Sequence, residues 1–249
     1  NVGDYGKNDG ESLLELLKAL DCVDGVERIR ISSIEPNLLN DELLDYWIAS
    51  EKFCNHFHIP LQSGTDEILR TMRRRYTTEQ YRELIQKIRA RSSDAGIGVD
   101  SIVGFPGETE ELFEQSFNFI QELPISYLHV FTYSERPNTP SITLKGRIEP
   151  RIRFSHSERL RMLGQKKKNI FYQSAIGTTH RVLIEGTIEN DMLTGYTENY
   201  IRVKVPYQPM LENSVALVKI TEFNGEECVG VLERLEETIS DKKLISIEA

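Results

Sequence analysis

The stretch Val99-Asp100-Ser101-Ile102-Val103-Gly104-Phe105-Pro106-Gly107-Glu108-Thr109 decides how the rest of the chain is read. Apolar residues feed a glycine, a proline turn and a second glycine. A carboxylate and a hydroxyl then open a helix. Glycine lets backbone approach a ligand closely, and the N–H groups at a helix start face outward. The stretch therefore predicts a strand–loop–helix joint, either an ordinary βα turn or one wall of a binding site.

Outward from this joint, helical and strand patterns alternate from Gly10 to about Pro140. Leu13, Leu16, Leu17 and Leu20 share one face of a predicted helix over Ser12–Leu20. Arg28–Ser33 alternates as a strand, and Asn40 caps a helix over Asp41–Ala49. Phe53–Leu61 reads as a second strand and Thr65–Met72 as a short helix. Thr77 or Thr78 caps a longer helix with Tyr81, Leu84, Ile85 and Ile88 at helical spacing. Ile97–Val103 and Tyr127–Tyr133 are further strands, separated by a helix over Glu108–Glu122. Alternation of this kind means βαβ units and a parallel sheet. Without a dinucleotide-binding glycine fingerprint, it favours a (β/α) barrel or part of one. In such folds ligands collect at the C-terminal strand ends. Polar residues fall there: Ser32, Ser33 and Glu35; Gln62 and Ser63; Gly104–Glu108; and Tyr133, Ser134 and Arg136.

Near Pro140 the pattern changes. Ser141–Arg153 reads as a linker and Ser155–Tyr172 as a charged helix. Five short strands follow: His180–Glu185, Leu193–Thr197, Tyr200–Val205, Ser214–Phe223 and Glu227–Leu235. Turn signals at Asn190-Asp191, Glu198-Asn199 and Asn224-Gly225 separate them, which implies a small β-barrel. The expected organisation is an α/β region over 1–150, a linker helix over 151–176, a β-barrel over 177–235, and a tail over 236–249 that is either an edge strand or an appendage.

The 249 residues suffice for one large and one small domain, and no apolar run reaches the roughly 18 residues that cross a bilayer. The net charge of −9 argues against indiscriminate nucleic-acid binding. Charge is uneven, however. Arg70–Arg91 carries eight basic against two acidic residues, and Lys145–Ile170 nine against two. These are either solvated helix faces or a phosphate-contacting surface in two segments. Cys22, Cys54 and Cys228 form no CxxC or CxxxCxxC spacing. His56 and His58 share a strand face, but the five histidines form no HxxxH or HExxH pattern, so no metal site is expected. Low cysteine use fits a reducing, cytoplasmic setting.

Four motifs, read in order, carry a resemblance: His58-Ile59-Pro60-Leu61-Gln62-Ser63-Gly64, Met72-Arg73-Arg74-Arg75-Tyr76-Thr77, Ile102 to Thr109, and Tyr133-Ser134-Glu135-Arg136-Pro137-Asn138-Thr139-Pro140. Together they resemble the radical-SAM methylthiotransferases. Gly195-Tyr196-Thr197-Glu198-Asn199-Tyr200 in the β-rich segment resembles the TRAM RNA-binding module that ends those enzymes. Ser32-Ser33-Ile34-Glu35-Pro36 and Leu128-His129-Val130-Phe131 look most like the branch that methylthiolates N6-threonylcarbamoyladenosine beside the tRNA anticodon. The isopentenyladenosine and ribosomal-protein branches are similar. A non-catalytic RNA-binding protein and a barrel enzyme of unrelated chemistry are the other readings.

The resemblance implies a partial radical-SAM barrel, S-adenosylmethionine as cofactor, two [4Fe–4S] clusters in the full-length parent, and a tRNA anticodon loop as partner. It also implies that Asn1, Glu35, Gln62, Ser63, Arg73, Val103 and Gly104 bind S-adenosylmethionine. Arg74, Arg75, Lys166, Lys167, Lys168, Tyr196 and Tyr200 are the expected RNA contacts, through guanidinium or ammonium groups on phosphates and rings on bases. The segment Gly177–Leu235 has five basic and nine acidic residues, so charge alone does not make it an RNA grip. The family's cluster-binding cysteine loop is missing from this sequence. The chain, starting at Asn1 without a methionine, is expected to begin after that loop, to hold four of the barrel strands, and to be inactive alone.

Overall fold

The computed structural model describes residues 2–238 and 245–247. Its first part alternates as the sequence predicts. Helix α1 (Leu13–Asp21) is capped by the Ser12 hydroxyl, and strand β1 (Ile29–Ile31) follows. Helix α2 (Asp41–Ala49) starts at Asn40, whose side chain accepts from the Leu43 N–H. Strand β2 (His56–His58) leads to α3 (Asp66–Thr71) and α4 (Thr78–Arg91). Thr77 and Gln80 form a full capping box on α4. Strand β3 (Gly96–Val103), helix α5 (Glu110–Glu122) and strand β4 (Tyr127–Thr132) complete the run. Thr109, not Glu108, caps α5, so the Glu108 carboxylate lies in the preceding loop.

All the pairings in this part are parallel. Strand β3 lies between β2 and β4, with His58 opposite Gly98 and Asp100 opposite His129. Single bridges, Ile29 to Phe53 and Ser33 to His58, join β1 to β2. On the far side of β1, the tail contributes strand β10 (Ile245–Ile247).

Period-two alternation sorts the side chains of this sheet. Ile29, Ile31, Phe57, Ile97, Val99 and Val103 face the helices, each at most 1% exposed, and join one core with Trp47, Tyr81 and Phe113. Arg30, His56, His58, Asp100, Ile102, Tyr127, His129 and Phe131 lie on the opposite, inner face.

Helix α6 (Pro150–Ser174) starts earlier than expected, because Pro150 at its first turn needs no N–H partner. The last part is a closed antiparallel and parallel barrel of β5 (Thr179–Glu189), β6 (Met192–Thr197), β7 (Arg202–Pro206), β8 (Ser214–Phe223) and β9 (Cys228–Thr238). Its strand order is β5-β6-β7-β9-β8, around a separate apolar core. This barrel sits at the N-terminal ends of the parallel strands. The Asn199 amide donates to the Asp94 carbonyl at 2.8 Å, and Arg28 Nη1 donates to the Tyr196 carbonyl at 3.1 Å. No helix among the described residues is long and apolar enough to cross a membrane.

Candidate functional site

A cleft of about 710 Å³ opens at the C-terminal ends of β2, β3 and β4, lined by Gln62, Arg73, Arg74, Ile102, Phe131 and Tyr133 among others. Two tyrosines fix the chain that enters it. The Tyr81 hydroxyl donates to the Ile59 carbonyl at 2.6 Å, and the Tyr76 hydroxyl reaches the Pro60 and Leu61 carbonyls at 3.1 and 3.0 Å. Burial raises both phenols, so they remain donors at neutral pH. Gln62 then takes a left-handed backbone at φ 69° and exchanges hydrogen bonds with β3. Arg73, at φ 59°, ends the turn after α3 the same way.

Arg74 Nη1 meets Glu35 Oε1 at 3.1 Å. That ion pair turns Glu35 away from the cleft lining and holds Arg74 in it. Two buried polar atoms of residues beside it, Arg74 Nε and the Tyr133 hydroxyl, have no hydrogen-bond partner among the described residues.

Besides Glu35, three expected cofactor contacts are placed elsewhere. Ser63 is 1% exposed and closes the turn into α3 through the Thr65 hydroxyl and N–H. Val103 points into the helix-side core, and its neighbour Ile102 lines the cleft instead. Gly104 has φ 74°, and the space a Cβ would need is filled by the Arg153 side chain. Its N–H donates to Glu108 Oε1 at 2.7 Å, and Glu108 meets His156 Nδ1 at 3.2 Å. The loop is thereby locked to α6, and the glycine serves that lock. Asn1 lies outside the described residues.

The basic runs are also redistributed. Lys87 and Arg91 of α4 pair with Asp41, and Arg91 also with Asp45, so two of the eight cations of that run are paired with α2. Arg75 is exposed. Lys166, Lys167 and Lys168 do not form one patch, because consecutive helical residues point about 100° apart. Lys166 is exposed, Lys167 donates to the Gln121 and Leu123 carbonyls at the end of α5, and Lys168 lies 4.9 Å over the Tyr172 ring. Burial pulls the Lys167 ammonium down to about 8. Tyr196 and Tyr200 stack on each other at 4.8 Å, and Tyr200 packs against His56 and Tyr127 as a floor to the parallel sheet's inner face.

That inner face holds side chains the motif reading passed over. His58 Nε2 meets Asp100 Oδ1 at 2.8 Å, and its Nδ1 meets the Ser33 hydroxyl at 3.0 Å. His129 stands edge-on to His58, and the ligand atoms of His58, Asp100 and His129 lie within 4.8 Å of one another. Both nitrogens of His58 are engaged in hydrogen bonds, so the group is a hydrogen-bonded network as it stands. The signal for Asp100 and Ile102 was in the sequence: alternation in β3 puts them on the face opposite Val99 and Val103.

The cysteines do not converge. Cys22 is exposed at the end of α1. Cys54 is buried and accepts from Arg28 Nε at 3.1 Å. Cys228 is buried in the β-barrel beside the Tyr172 carbonyl, its thiol pushed up to about 11 by burial. These residues do not fit an iron–sulfur cluster, which needs thiolates gathered around one centre.

Comparison with known proteins places this geometry. Residues 4–120 match the Radical SAM superfamily. The chain is 40% identical over 203 residues to the threonylcarbamoyladenosine tRNA methylthiotransferase MtaB of Aquifex aeolicus, covering 82% of this chain and 48% of that protein. The Bacillus subtilis protein of the same name is 35% identical, over 94% of this chain and 54% of its own. The tRNA-2-methylthio-N(6)-dimethylallyladenosine synthase of Desulfitobacterium hafniense is 35% identical, over 92% and 52%. The chain thus spans about half the length of the curated relatives it matches. With a parallel sheet, a cleft at its C-terminal strand ends and relatives of one kind across most of its length, the chain belongs to the radical-SAM methylthiotransferase family.

Proposed function

We propose that this chain forms the nucleoside-cradling part of a cytoplasmic tRNA methylthiotransferase that acts on N6-threonylcarbamoyladenosine beside the anticodon. The observation that carries the reading is the cleft at the ends of β2 to β4, with Gln62, Arg73 and Arg74 in its lining. Gln62, Arg73 and Arg74 would hold S-adenosylmethionine, the guanidinium groups taking its carboxylate and the amide its ribose. When bound, that cofactor supplies a methyl group and an adenosyl radical. Glu35 holds Arg74 ready, so little side-chain ordering remains for binding. Ile102 and Phe131 offer apolar surface for a base. The cysteines present supply no cluster, so the chain by itself binds rather than reacts.

The closed β-barrel is read as a TRAM module, oriented on the α/β part through Asn199 and Tyr196. Arg75 and Lys166, both exposed, are the phosphate contacts this reading retains. Analysis of tRNA nucleosides tests it. A strain lacking the protein should lose 2-methylthio-N6-threonylcarbamoyladenosine and keep the unthiolated nucleoside. An unchanged 2-methylthio level would overturn the reading. The relative named as a dimethylallyladenosine synthase supports a second reading, and loss of the 2-methylthio form of that nucleoside instead would select it.

A further inference from the structure

The seam between strand β4, helix α6 and the β-barrel encloses a second cavity, of about 480 Å³. Helix α6 comes close to β4 because Gly164 leaves room: a Cβ there would stand 3.1 Å from the Leu128 Cβ. Arg161, Gln165, Lys168 and Tyr172 follow at intervals of four, three and four, which puts them on one face of α6, and all four line the cavity. Two residues of helix turn Lys168 roughly 200° from the exposed Lys166. The barrel supplies the other wall. Tyr196 of β6 lies opposite Arg202 of β7 in the ladder, and both line the cavity. Tyr200, in the turn between them, holds a left-handed backbone at φ 71°, which a bulky residue rarely adopts. Its ring lies 4.8 Å from the Tyr196 ring, 16° from parallel. The Arg202 N–H donates to the Tyr172 hydroxyl at 3.2 Å, so the two walls are tied together.

Acidic residues outnumber basic ones by 39 to 30 in this chain, yet among the described residues no carboxylate lines this cavity, while Arg161, Lys168 and Arg202 do. Arg161 and Arg202 pair with Glu158 and Glu227, which stand outside the lining. Lys168 has no carboxylate partner among the described residues, and its ammonium rests 4.9 Å over the Tyr172 ring. Among those residues the one ring stacked on Tyr196 is Tyr200, so Tyr196 ends the stack. A terminal flat ring beside an uncommitted ammonium suits a ligand that joins a flat π-system to an anion, as a nucleotide does. We propose that the seam holds one unpaired nucleotide of RNA, its base stacked on Tyr196 and its phosphate on Lys168. The proposal rests on the reading of the substrate as tRNA and adds a contact apart from the reacting nucleoside. Strand β4 divides the two sites: Tyr127 to His129 line the seam, and Phe131 to Tyr133 line the cleft. Single strands supply such a base, because pairing keeps it inside a duplex stack.

The test titrates the protein, expressed from its complete reading frame, with a fluorescent tRNA anticodon stem-loop and follows anisotropy at several salt concentrations. Tyr196→Leu should weaken binding roughly tenfold, and Tyr196→Phe should keep native affinity, since stacking needs the ring and not the hydroxyl. Lys168→Gln should lower the salt slope by roughly 0.7, the value for one phosphate of a single strand. Excess adenosine monophosphate should leave the stem-loop bound. Unfolding midpoints accompany each variant, and if Tyr196→Leu does not fold, Lys168→Gln decides. Native affinity in a folded Tyr196→Leu, or a native salt slope in Lys168→Gln, overturns the proposal alone. Displacement of the stem-loop by the mononucleotide makes the seam a site for free nucleotides and overturns its assignment to RNA. A native protein that binds no stem-loop overturns the tRNA reading, and this proposal with it.

Discussion

Two residues show how single positions hold the fold. Gly104 sits at φ 74° under the Arg153 side chain, whose Cδ would lie 2.8 Å from an added Cβ. Gly104→Ala is expected to destabilise the protein by about 1–3 kcal/mol, from left-handed strain and displacement of Arg153, measured by denaturant unfolding. His56 is the second. Burial is the main cause that pulls its pKa down to about 3, and its Nε2 lies 2.7 Å from the Tyr127 hydroxyl. The unfolded chain takes a proton at the ordinary histidine value of about 6.5, whereas the folded state stays neutral. Between these limits the unfolded state binds more protons, so stability falls as pH falls, by up to about 1.4 kcal/mol per pH unit from this group. His56→Gln should flatten that slope between about pH 6 and pH 4, read from denaturation midpoints at fixed pH steps. An unaltered slope would mean that His56 is not held neutral.

At the level of elements, α6 separates functions that its sequence runs together. Its lysine triplet looks like one basic patch, yet the helical turn assigns each member a different neighbour. Lys167 caps α5 through two carbonyls, so Lys167→Ala should cost roughly 1–3 kcal/mol of stability, with the chain still binding RNA when folded. Lys166 faces solvent. Lys166→Ala should leave the unfolding curve in place and lower the salt slope of tRNA binding by up to about 1. The reverse pattern, in which Lys167 controls the salt slope, would restore the triplet as a phosphate contact. Arg153 likewise works between elements. It donates to the Ile148 and Tyr133 carbonyls and to Glu135, and its guanidinium holds the Glu135 carboxyl down at about 2.

For the whole molecule, the decisive contact is the seat of the β-barrel on the α/β part. Gly96 begins β3 directly against the Asn199 carbonyl, so a Cβ there would collide with the other module's backbone. Gly96→Ala is expected to lower the melting temperature by roughly 5–10 °C and to split a single transition into two. Calorimetry showing one unshifted transition would mean that the modules do not depend on this seat. Tyr200 of the barrel reaches into the α/β part, its ring 4.6 Å from the Arg30 guanidinium.

The sequence alone determined the elements and their order, because those follow from local physics. Asn40 and Thr77 announce helix starts by side chains that satisfy free N–H groups, and the strand alternation of β3 announces a two-sided sheet. The Ile102–Thr109 motif located the right loop. It did not say which atoms face the cleft, since a shift of one residue along a strand exchanges faces: Ile102 lines the cleft and Val103 the core. The pairing of Glu35 with Arg74, 39 positions apart, and of Arg153 with Gly104, 49 apart, was also settled only by tertiary packing. So was the burial of Lys167 against α5. Charge neutralisation and close backbone approach act through space, and the sequence records neither the distance between such residues nor which partner reaches them first.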